Sequence, residues 1–132
     1  MSDRILLAHG AGGRLMNELV RETFLETFGG ALAESATDAA LLPELPPGRV
    51  AFTTDGFVVD PLEFPGGDVG GLSVFGTVND LAVVGARPAY LTWALILEEG
   101  TERALVERIA RSAAEAARQA GVTIVAGDTK VV

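Results

Sequence analysis

The chain has 132 residues, 48% of them hydrophobic, a formal charge of −8 and no cysteine. That length holds one domain with a core but little area to spare, and the acidic balance removes the long-range attraction that a nucleic acid or an anionic membrane would exert. Without cysteine these residues offer no disulfide scaffold, thiolate metal site or cysteine nucleophile, which fits a reducing, cytoplasmic setting.

The start, "MSDRILLAHG", has an apolar run of four residues, too short for a signal sequence or a membrane span. "HGAGG" leads into a helix on which Leu15, Leu19, Val20 and Phe24 share one face, while Glu18, Glu22 and Glu26 form a stripe expected in solvent. Gly29 and Gly30 end it. "LLPELPPGR" reads as a Pro-rich turn, and "VAFTTDGFVVDP" as a strand pair or one bent strand, broken near Asp55–Gly56 and stopped by Pro61. Asp68 is the expected N-cap of a helix running to Gly85, and Pro88 blocks its continuation.

"AYLTWALIL" is a strand with Leu91, Trp93, Leu95 and Leu97 on one side and Tyr90, Ala94 and Ile96 on the other, so both faces need cover. An Ala- and Arg-rich amphipathic helix follows, ended by Gly121, and "VTIVAGDTKVV" is the last strand. The predicted order is α, β, β, α, β, α, β. The high apolar fraction and the two-faced strand together predict that part of this surface is buried against a second copy.

Most Glu residues fall on helices, whereas Asp residues fall at strand ends, turns and one helix. Asp60 and Asp68 read as turn and cap. Asp38, Asp55, Asp80 and Asp128 are each flanked by apolar residues, and Asp80 interrupts the apolar run "TVNDLAVVGARP", where a buried carboxylate needs a partner. If the four converge they form an oxygen-only cluster, which suits Mg²⁺ with phosphates; Ca²⁺ competes, but the EF-hand spacing is absent.

Gly10, Gly12 and Gly13 could offer backbone N–H groups to such phosphates, although "HGAGGRL" is neither a dinucleotide fingerprint nor a P-loop and could be a plain turn into a helix. His9, the only histidine, reads as a loop-to-helix contact. Lys130, the only lysine among ten cationic side chains, stands two residues after Asp128, a compact charge suited to a phosphate.

Taken together, "GAGGRLMNEL", "TTDGFVVDP", "FPGGDVGGLSVFGTVNDLAVVGARP", "ILEEG" and "AGDTKVV" resemble the N-terminal domain of the HypE hydrogenase maturation family. That family sits within the superfamily of aminoimidazole ribonucleotide synthetase, thiamine monophosphate kinase and selenophosphate synthetase. The resemblance implies an α/β, PurM-like domain: a mixed four-stranded sheet with helices on one face, pairing with a second subunit's sheet into a β-barrel. It also implies a homodimer that binds ATP and Mg²⁺, with metal ligands at Asp38, Asp55, Asp80 and Asp128. Nucleotide contacts are implied at Gly10, Gly12, Gly13, Asn79, Thr129 and Lys130.

HypE-like proteins use ATP to dehydrate an S-carboxamide on their own C-terminal cysteine to a thiocyanate, the source of cyanide ligands for [NiFe] hydrogenase. Their partners include the carbamoyltransferase HypF and the HypC–HypD pair. This sequence stops at Val132 without cysteine, so residues 1–132 are expected to be a single ATP-binding N-terminal domain, with no catalytic residue of their own and inactive alone. "GAGG" stands for the usual "GSGG" and "TTDG" for "TTDS", removing two hydroxyls near the phosphates. A selenophosphate synthetase would want a reactive cysteine or selenocysteine, and a thiamine monophosphate kinase two adjacent aspartates where this chain has "TDA". The reading from another class is a non-catalytic dimerisation module whose aspartates are turn residues.

Overall fold

The computed structural model describes residues 3–30 and 37–132. A 3₁₀ turn at Leu7–His9 precedes helix α1 (Arg14–Leu19), whose winding loosens to a π-helix over Val20–Leu25 before the short α2 (Glu26–Phe28). Strands β1 (Glu63–Phe64) and β2 (Gly67–Asp68) form a minimal antiparallel hairpin. Helix α3 (Val69–Ala82), strand β3 (Tyr90–Leu97), helix α4 (Arg103–Ala120) and strand β4 (Thr123–Val131) complete the chain. None of the helices is long and apolar enough to cross a membrane among the described residues.

Local chemistry sets the start of α3 and the end of α4 where the sequence predicts them, whereas α3 ends at Ala82, short of the expected Gly85. The Asp68 carboxylate accepts the Gly71 N–H at 3.0 Å and so caps α3. Helix α4 stops where the Gly121 N–H turns back to the carbonyls of Ala117 and Arg118. The buried face of α4 carries Val106, Ile109 and five alanines, and these small side chains let it lie close to its neighbours. Where it meets α3 the approach is closest: a Cβ on Gly70 would sit 2.2 Å from the Ile109 carbonyl oxygen.

Strands β3 and β4 run parallel, Tyr90 opposite Thr123 and Leu97 opposite Val131, with a bulge between Leu91 and Thr92. The helices cover one face of this sheet, and Leu91, Trp93 and Leu97 point into the core beside Ile5, Leu19, Phe24, Val74 and Val106. Each such side chain contributes about 1.5–3 kcal/mol by leaving water. The opposite face of β3 is bare, Ile96 being 75% exposed.

The expected strand over "VAFTTDGFVVDP" and the four-stranded sheet are not formed within the described residues; both sheets there are two-stranded, and β4 is the hydrogen-bonded neighbour of β3. A strand needs an edge to pair with as well as a suitable sequence. Residues 50–60 lie outside any ladder with Phe52 and Val58 almost fully exposed, while Phe57 tucks its ring against α3 at Gly76, where a Cβ would come within 2.6 Å of it.

Candidate functional site

The glycine loop is held from beneath by His9. Buried in the 3₁₀ turn, its Nδ1 accepts the Leu6 N–H at 2.9 Å, so this imidazole organises the backbone of its own turn, where the sequence reading expects a loop-to-helix contact. Gly10 then passes so near the end of β4 that a Cβ would lie 2.7 Å from the Val131 nitrogen. Gly12 and Gly13 adopt φ of +81° and +82°, which side chains rarely take, and nothing approaches within 4 Å of where their Cβ atoms would be. The loop is thus open to solvent and opens helix α1 from Gly13, beside the strand end that carries "GDTKV".

In that strand end Asp128 accepts the Thr129 N–H at 2.9 Å and both carboxylate oxygens meet Lys130 Nζ, at 2.6 and 2.7 Å. The hydrogen bond from Lys130 holds the Asp128 carboxyl below its ordinary range, its charge adding to the effect and outweighing desolvation, so the group is anionic at neutral pH. Thr129 is buried between these two exposed charges. Asp128, Thr129 and Asp38 line one cavity of about 540 Å³, whose apolar wall includes Phe24, Phe28 and Trp93.

The other aspartates stand apart. Asp55 lines a second cavity of about 720 Å³ between residues 54–59, α3 and β3, and its carboxylate accepts the following Gly56 N–H at 2.8 Å. Asp80 is exposed, contrary to the burial inferred from its apolar surroundings: the last turns of α3 turn Leu81 inward and leave Asn79 and Asp80 in solvent. Among the described residues no three His, Cys, Asp or Glu side chains gather into a group able to hold a metal. The chain by itself therefore unites two of the four aspartates on one cavity, places the glycine loop next to β4, and leaves Asp55 and Asp80 elsewhere.

Two features escape a reading of the sequence. Glu22, expected on a solvated stripe, accepts Arg103 Nη2 at 2.8 Å, and Arg103 Nε reaches Glu107 at 3.2 Å, tying the π-helical turn to the start of α4. Desolvation works against the Arg103 charge, but the hydrogen bonds from Glu22 and Glu107 overcome it and raise its pKa further. These partners lie 81 positions apart and carry no local signal. The second feature is Trp93, the single tryptophan, whose N–H donates to Ser73 Oγ at 2.9 Å and whose ring meets Phe24 and Phe28 edge-on.

Known proteins are similar to this chain in sequence and fold. Residues 36–132 match the family described as AIR synthase related protein, N-terminal domain. The chain is 55% identical over 133 residues to carbamoyl dehydratase HypE of Rhodobacter capsulatus, an alignment covering 98% of this chain and 38% of that protein. Among solved structures, hydrogenase maturation protein HypE in complex with ATP superposes with a TM-score of 0.90 at 49% identity, over 96% of this chain and 37% of that one. HypE in a HypE–HypF complex gives 0.60 at 49% identity, over 86% and 36%. The chain thus spans well under half the length of the relatives it matches. On this match the chain belongs to the AIR synthase related protein family as its N-terminal domain, with HypE proteins as relatives along nearly all its length.

Proposed function

We propose that this chain is the ATP- and Mg²⁺-binding, dimerising N-terminal domain of a HypE-like hydrogenase maturation protein. The observation that carries the proposal is the superposition on HypE bound to ATP at 49% identity, together with an open glycine loop seated against the strand that bears Asp128 and Lys130.

In this reading Gly10, Gly12 and Gly13 present backbone N–H groups to the phosphates, Asn79 and Thr129 add polar contacts, and Lys130 exchanges Asp128 for a phosphate oxygen as the nucleotide arrives. The donor set fits a hard cation, since every candidate ligand is a carboxylate. Mg²⁺ ordinarily takes one or two carboxylates and completes its shell with phosphate oxygens and water, so Asp38 and Asp128 on one cavity are a sufficient core. Asp55 and Asp80 belong to the same proposed set. Bound there, the ion would neutralise phosphate charge.

The same reading gives the bare face of β3 and the unpaired 50–60 segment a destination: a four-stranded sheet that pairs with its copy in a homodimer barrel. The chain has no cysteine, so the thiol that bears the carboxamide in carbamoyl dehydration must come from outside these residues. Partnership with a HypF-like carbamoyltransferase and a HypC–HypD-like acceptor, a cytoplasmic location, and inactivity of residues 1–132 on their own belong to the proposal as well.

Calorimetry with ATP in the presence and absence of Mg²⁺ tests it. Saturable binding that needs Mg²⁺ is expected, weakened at least tenfold by Asp128→Asn. No binding by the parent chain under either condition overturns the proposal.

A further inference from the structure

Trp93 touches three of the elements that carry candidate ligands: the helical stretch after the glycine loop, β4 and α3. On one side its ring packs at 5.2 Å from Phe28 and 6.1 Å from Phe24, in the helical stretch that begins at the glycine loop. Across the sheet its backbone lies opposite Gly127, so closely that a Cβ there would stand 2.6 Å from the Trp93 carbonyl oxygen, and the next residue is Asp128. On the third side the indole N–H reaches Ser73 Oγ at 2.9 Å, and Ser73 Oγ in turn donates to the Gly70 carbonyl at 2.7 Å.

This last contact fixes α3 in a particular way. Gly70 is wedged on the Ile109 backbone, which pins the first turn of α3 against α4. Val74 and Leu81 bury the inner side of the helix further along, and the indole–Ser73 bond one turn after Gly70 adds a directional contact to this packing. Asn79 and Asp80 follow about 9–10 Å further along the axis, so their bearing depends on that bond.

We infer that Trp93, acting through Ser73, is a positioning residue that sets α3 and its Asn79–Asp80 end relative to Asp128 and the glycine loop. The inference rests on the proposed nucleotide site; Trp93 lies on the wall of the cavity that Asp38 and Asp128 share, and the role inferred for it is exerted through Ser73. A buried indole N–H needs an acceptor, and the hydroxyl of Ser73 provides it while linking on to helix backbone. Bulk alone would be met by any large aromatic side chain; the N–H is what distinguishes this one.

The test measures Mg-ATP affinity by calorimetry in the parent, Ser73→Ala, Ser73→Thr, Trp93→Phe and the Ser73→Ala/Trp93→Phe pair, with melting temperature followed in parallel. Ser73→Ala and Trp93→Phe are each expected to weaken binding about fivefold, the size of one displaced hydrogen bond. The pair should be no weaker than either alone, because both remove the same contact. Ser73→Thr keeps the hydroxyl and should retain parent affinity, an outcome that a general loss of stability would not follow. If Trp93→Phe fails to fold, the Ala and Thr variants of Ser73 decide. Parent-like binding by Ser73→Ala overturns the inference and leaves the nucleotide site standing, whereas no binding by the parent overturns both.

Discussion

Strand β3 and the segment 50–60 are built from similar residues, β-branched and aromatic side chains bounded by Gly and Pro, yet one lies at the centre of the core and the other in solvent. The difference is where each finds its partner. Strand β3 has β4 beside it and two helices over one face, joined to it by connections of a few residues. Segment 50–60 borders a cavity with α3 and β3, sets Phe57 against Gly76, and leaves Phe52 at 96% and Val58 at 103% exposure. Strand propensity without an edge yields extended backbone and nothing more.

Substitutions in the two regions should therefore separate sharply. Gly70→Ala forces a methyl group into the Ile109 carbonyl and is expected to cost about 3 kcal/mol, read from urea denaturation. Phe52→Ser, a far larger chemical change, should move the stability of a single chain by less than about 0.5 kcal/mol. The same Phe52→Ser should lower self-association in sedimentation, since apolar surface bare in one copy is what a second copy would cover. A large loss of monomer stability from Phe52→Ser would erase the contrast.

Acid should act on the packed region through its ion pairs. Glu22, held chiefly by Arg103, and Glu63, held chiefly by Arg108, both have carboxyls lowered from 4.5. Their contribution is complete above that value and is lost as pH falls below it through the lowered ones. Denaturation midpoints should thus hold from neutral pH to about pH 4.5 and decline below it, and Arg103→Gln should flatten part of that decline. A gain is expected at Thr23, whose hydroxyl is buried without a hydrogen-bond partner among the described residues. Thr23→Val removes an unsatisfied polar atom at nearly constant volume and should raise stability by about 1 kcal/mol.

Much of the fold is legible in the sequence because it is local. Asp68 and Gly121 mark helix ends by their own hydrogen-bonding habits, and the period of β3 separates Leu91, Trp93 and Leu97 from Ile96. The loosened winding at Val20–Leu25 and the Arg103–Glu22 pair depend on packing between distant segments, which no window of residues contains. The candidate site divides the same way. Its residue types are readable, and so is the pairing of Asp128 with Lys130 two positions on. The exposure of Asp80 is not, because an apolar neighbourhood in sequence fixes which residues are adjacent in the chain but not which side of the helix meets the core.

The consecutive run of β3, α4 and β4 has a consequence for synthesis. Ile5, Leu19 and Phe24 pack on a surface made by residues 90–131, so a ribosome releases them, and the apolar 50–60 segment after them, before that surface exists. During that interval the nascent chain is expected to recruit a holding chaperone at Phe52 and Val58. Crosslinking of stalled chains should detect it, together with a contact at Ile5 and Leu19 that is lost once β4 is out, whereas that at Phe52 persists until a second chain arrives.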